Sequence, residues 1–149
     1  MSREERDSAD RGRWFLRLSQ DQSPQLPALI VAWRAARRLA MTIYRLTEAT
    51  DPQEDADLRR QMRRASAALM SDVAELYDAP SHAHSHRSLR NAQSSAMRLQ
   101  TQLAIAADCD YIEPRTFEQL NDSAQELKEA IAEYFGKREV SSEQREARS

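Results

Sequence analysis

The chain has 149 residues, 40 % apolar and 31 % charged, enough for one domain with a sizeable core and too few for two ordinary ones. Two glycines and five prolines supply too little turn chemistry for a sandwich or barrel of many short strands, which leaves long helices. A net charge of −2 and a pI of about 6.0 exclude a positive field over the whole chain, so attraction to phosphate requires a local patch.

The charge is uneven. Residues 1–100 carry 16 arginines against 13 acids, while 101–149 carry 6 basic and 11 acidic residues. All basic residues except Lys128 and Lys137 are arginine, the better fork for phosphate and carboxylate, although a GC-rich coding sequence gives the same bias. Cys109 stands alone and excludes an internal disulfide. No apolar run approaches bilayer length and the polar N-terminus has no signal core, so the expected location is cytoplasmic, with no membrane partner.

Residues 1–23 form a polar extension with one apolar cluster, Trp14, Phe15, Leu16 and Leu18. Two adjacent aromatics need a partner: the end of the bundle, a subunit interface or a second protein. Ser23 and Pro24 open the first helix, where Leu29, Trp33, Ala36, Ala40 and Ile43 alternate steps of four and three into a packed seam. Arg34, Arg38 and Arg45 lie on its far side, and no acidic residue occurs from Ile30 to Thr47. Thr50, Asp51 and Pro52 break this helix, and Asp51, Glu54, Asp55 and Asp57 crowd the start of the next, where negative charge suits the helix dipole.

The second helix buries Leu58, Met62, Ala65, Leu69, Val73 and Leu76 and turns Arg60, Arg63 and Arg64 outward, with small residues from Ala65 to Ala68 permitting close approach. It ends near Pro80, and His82, His84 and His86 follow in what reads as a linker. From Arg87 a third helix places Leu89, Ala92, Ala96, Leu99, Leu103 and Ala106 on one seam, ending at Asp108 to Asp110. Pro114 starts a fourth, seamed by Phe117, Leu120, Ala124, Leu127, Ile131 and Tyr134, with Glu118, Asp122, Glu126, Glu129 and Glu133 stacked opposite. Gly136 closes it as the expected residue after the C-cap, and residues 137–149 read as a disordered polar tail. The fold class is therefore all-α, an up-down-up-down four-helix bundle over residues 24–136, with a long three-helix or extended coiled-coil arrangement as the alternative.

Catalytic signatures are missing from the sequence. A di-iron bundle needs Glu-x-x-His pairs, which do not occur, and no phosphate loop, nucleophile elbow or zinc pattern is present. The expectation is a non-enzyme without cofactor or small-molecule substrate. The three alternating histidines put imidazoles on one side of an extended loop, a weak candidate for zinc, nickel or copper against the plainer reading of a solvated linker. Asp72 and Glu75 are either a polar clamp at a subunit or partner contact or an exposed helix face. The six arginines of the first two helices either neutralise phosphates, pair with the acidic face of helix four from another subunit, or are ordinary surface charge.

Several segments carry a family resemblance. Trp33 with Ala36 and Ala40, Ile43-Tyr44-Arg45-Leu46-Thr47, Gln61-Met62-Arg63-Arg64-Ala65, Asp72-Val73-Ala74-Glu75 and the run from Leu99 to Ala106 follow in order over about residues 26–136. They resemble the motifs of the four-helix-bundle family of 23S rRNA intervening-sequence proteins and of the accessory variability determinant (Avd) of diversity-generating retroelements. Arg63 and Arg64 match the family's Arg pair, and Asp72 and Glu75 match the ends of its Asn-Ile-Ala-Glu segment, with Asp72 in place of Asn. The resemblance implies a barrel-like homopentamer and, for Avd-type members, a reverse transcriptase and nucleic acid as partners. On that reading the chain is an adaptor that presents its arginine faces; the alternative is a protein–protein scaffold whose Arg and Glu stripes form the subunit interfaces.

Overall fold

The computed structural model describes residues 26–48, 55–77 and 81–148. Among them are four helices and no strand: α1 (Leu26–Glu48), α2 (Ala56–Tyr77), α3 (His82–Asp108) and α4 (Pro114–Arg148).

Each helix starts and stops for local reasons. Pro27 and Pro114 sit in first turns, where a missing N–H costs nothing. The Asp55 carboxylate accepts the Leu58 N–H at 3.0 Å and so caps α2. The Ser81 hydroxyl accepts the His84 N–H at 3.2 Å and caps α3 five residues ahead of the expected Arg87 start. The His82–His86 run is therefore helix rather than extended linker, and Ser81 is the residue that makes it so. At the far end of α3 the Tyr111 N–H bonds the Ala106 carbonyl at 2.9 Å and the Asp110 N–H bonds that of Ala107 at 3.0 Å. Asp110 supplies the left-handed residue of this C-terminal motif at φ 60°, a conformation a short polar side chain tolerates.

The expected stop at Gly136 is not observed: α4 continues to Arg148. Gly136 has no positive φ, and Arg145 and Arg148 favour the negative end of the dipole. The stretch after Gly136 is rich in Lys, Arg, Glu and Gln, all fair helix formers, so one glycine does not outweigh them.

Consecutive helices pack together, and α1 also packs on α4, which closes a ring of four around one core. They run antiparallel: on α2 and α3, Asp72 meets Ser95 while Glu75 meets Ser88, and on α3 and α4, His86 meets Phe135 while Gln100 meets Lys128. The core holds Leu29, Leu39, Ile43, Leu69, Val73, Leu76, Leu99, Leu103, Leu127 and Ile131, all essentially inaccessible. Each contributes about 1.5–3 kcal/mol by leaving water. Tyr134 crosses the ring, donating its hydroxyl to the Leu76 carbonyl at 3.4 Å.

The α2–α3 side is lined by small buried residues, Ser66, Ser85, Ser88, Ala92, Ser95 and Ala96. Seam-reading from sequence found the alanines and passed over the serines. A buried hydroxyl needs a partner, and Ser66 finds one in its own helix: it donates to the Arg63 carbonyl one turn back at 3.0 Å.

Candidate functional site

The buried residues of α1 occupy one half of its circumference, from Leu29 and Ala32 through Ile43, and the other half faces outward. On that outer half Arg34, Arg38 and Arg45 are exposed, joined by Arg37, which the sequence reading had not singled out. Its only signal was membership of the acid-free run. Val31, Met41 and Tyr44 are exposed among them. Trp33 forms the floor, with the Arg37 guanidinium 5.6 Å from its ring centroid, close enough for cation–π attraction. Together Trp33, the four arginines, Met41 and Thr42 line an open groove of about 620 Å³ that contains no carboxylate.

The three arginines of α2 divide. Arg64 is exposed, and Arg60 is exposed beside Asp57, 3.7 Å away, a pairing that solvent weakens to little. Arg63 instead turns toward α1. It donates to the Thr47 hydroxyl at 2.6 Å and the Tyr44 carbonyl at 3.2 Å, and its guanidinium lies 4.8 Å from the Tyr44 ring centroid. Thr47 is buried and its hydroxyl donates back to the Ile43 carbonyl at 2.7 Å. Arg63 thus fastens the last turn of α1 to α2.

Asp72 and Glu75 form a clamp, and it lies within the chain. Asp72 is half-buried and accepts the Ser95 hydroxyl at 3.2 Å; Glu75, more exposed, accepts that of Ser88 at 3.4 Å. Burial pushes the Asp72 carboxyl up to about 6, with Glu75 adding to the rise and Ser95 and Arg98 opposing it. Glu118, Asp122, Glu126, Glu129 and Glu133 are all exposed along α4, an acidic stripe beside the cationic face of α1.

The histidines do not gather. His84 and His86, two apart on the helix, point to opposite sides, and the His86 ring packs on Phe135 at 5.0 Å between centroids. No cluster of three or more His, Cys, Asp or Glu suited to a metal occurs among the described residues. Trp14 and Phe15 lie outside the described residues. No helix among the described residues is long and apolar enough to cross a membrane.

The sequence profile of the 23S rRNA-intervening sequence protein family matches residues 29–133, from the first buried leucine of α1 to the last turns of α4 within the bundle. The chain belongs to this family. A solved structure from Bacteroides thetaiotaomicron, a protein of unknown function from the S23 ribosomal protein family, shares the fold at a TM-score of 0.68 with 18 % identity. The likeness covers 73 % of this chain and 98 % of that one, so the bundle is common to both. None of the curated proteins compared matches this chain.

Proposed function

We propose that this family member is a non-enzymatic adaptor that assembles as a homo-oligomer, a pentamer by the resemblance, and presents the arginine faces of α1 and α2 to a reverse transcriptase and its RNA or DNA. The observation that carries the reading is the outer half of α1: four exposed arginines with Met41 and Tyr44 between them and no carboxylate in the groove. Closely spaced guanidiniums suit phosphate, and exposed apolar side chains between them suit a base or protein surface. Arg60 and Arg64 extend the charge onto α2; Arg63 supports it by fixing Tyr44 and the end of α1.

The acidic stripe on α4 favours the second reading, a scaffold in which α4 of one copy meets α1 of the next. The same variant separates the two. Arg34→Gln, Arg38→Gln and Arg45→Gln are combined, and mass and bound nucleic acid are read by size-exclusion chromatography with light scattering at low and high salt. The adaptor reading expects unchanged mass, loss of nucleic acid and a salt slope lower by about three. A fall in mass supports the scaffold, and nucleic-acid binding that the variant leaves intact overturns the assignment to α1.

A further inference from the structure

The outer face of α3 has a different character from that of α1, and the two helices stand on opposite sides of the ring. Met97 is 58 % exposed and Ile105 45 %, the largest apolar exposures on α3. They lie eight residues apart on one side of the helix, about 12 Å along its axis. Arg90 and Arg98 flank this ridge, and from Arg87 to Ala107 the helix contains three arginines and no carboxylate. An open groove of about 670 Å³ runs along the ridge and reaches Gln61 on α2.

We propose that this face docks an acidic amphipathic helix from another protein. A partner helix with apolar residues seven or eight positions apart spans about 10–12 Å, the separation of Met97 and Ile105, and its flanking carboxylates would meet Arg90 and Arg98. Nucleic acid suits the face less well, because two arginines stand eight residues apart around an apolar ridge, where α1 packs four together. A second copy suits it less well too. The acidic stripe of α4 carries no large apolar residue, and the apolar residues on the outer half of α1 sit among arginines that Arg90 and Arg98 would repel. This surface is separate from the one in the adaptor reading, so one molecule can hold a partner on each side.

The test uses the full chain and a labelled synthetic helix of about fifteen residues, with leucine at heptad spacing, glutamate beside the leucines and alanine elsewhere, followed by fluorescence anisotropy. A lysine version with the same leucines is the control. Saturable binding of the glutamate helix is expected, weakened about tenfold or more by Met97→Asp with Ile105→Asp. Arg90→Glu with Arg98→Glu should weaken it similarly and admit the lysine helix. Met97 and Ile105 are exposed, so thermal melting of that variant should not change, whereas the arginine variant should melt lower, because Arg98 eases the charge on Asp72, while staying folded at the assay temperature. The proposal falls if the glutamate helix fails to saturate, or if Val31→Asp with Met41→Asp abolishes binding while the α3 variants do not. It also falls if an RNA oligonucleotide displaces the peptide in wild type and in the Arg34→Gln, Arg38→Gln, Arg45→Gln variant alike, or if Met97→Asp with Ile105→Asp lowers the mass in light scattering.

Discussion

Replacing Asp72 by Asn should make the protein more stable at neutral pH, although it removes a charge bonded across a helix interface. The Asp72 carboxyl titrates near 6 in the fold against an ordinary value near 3.8, chiefly because burial disfavours its charged form. The folded state therefore holds more protons than the unfolded one between those values. Stability falls as pH rises through that interval and is level above it. At 1.36 kcal/mol per pH unit the interval corresponds to about 3 kcal/mol, and because the group is half-buried, solvent screening reduces this to about 1–2 kcal/mol. In Asp72→Asn the carboxamide oxygen still accepts from Ser95, so the variant avoids the charge penalty and keeps the bond. Urea unfolding followed by circular dichroism should show a gain of about 1–2 kcal/mol at about pH 7.5, or roughly 3–6 °C in Tm. The gain should shrink steadily toward about pH 3, where Asp72 is largely protonated in both states. A loss of stability at pH 7.5 that does not vary with pH would refute the reasoning, because it would mean that Ser95 and Arg98 outweigh burial.

Arg63→Gln should destabilise by about 1–3 kcal/mol, since it removes the bond to Thr47, the bond to the Tyr44 carbonyl and the contact with the Tyr44 ring. Arg60→Gln, whose ion pair with Asp57 is exposed, should stay within about 0.5 kcal/mol in the same urea titration; equal effects at both sites would deny Arg63 its fastening role. At Gly136 an added Cβ meets no atom within 4 Å and the backbone is helical, so Gly136→Ala should stabilise by about 0.5–1 kcal/mol. A neutral or unfavourable result in thermal melts would place the end of α4 at Gly136.

The seams were legible because helical periodicity depends only on which positions are apolar. Leu58, Met62, Ala65, Leu69, Val73 and Leu76 were read from spacing and are all buried, and the seams of α1 and α3 fared as well. Helix ends depend on single hydrogen bonds. Ser81 caps α3, but the three histidines after it looked like linker, and Gly136 looked like a stop because glycine so often is one. The candidate site was legible in part. Sequence places Arg34, Arg38, Arg45, Arg60 and Arg64 on outer faces, where they are found, and gives no way to tell that Arg63 is bound across to α1. Asp72 and Glu75 had two open readings because their partners, Ser95 and Ser88, are small hydroxyls on another helix that no pattern in α2 encodes.

The packing of α1 on α4 joins the first helix of the bundle to the last. While the chain is being made, α1, α2 and α3 can pair as they emerge, yet the flank of α1 that α4 will cover stays bare until the whole bundle sequence has left the ribosome. Leu120, Leu127 and Ile131 then fill the remaining quarter of the core together. A chain cut short before α4 would retain three amphipathic helices with an open apolar trough, a species prone to stick to others of its kind. Emergence of α4 is thus a checkpoint for this fold, whatever the order in which the other three helices have paired.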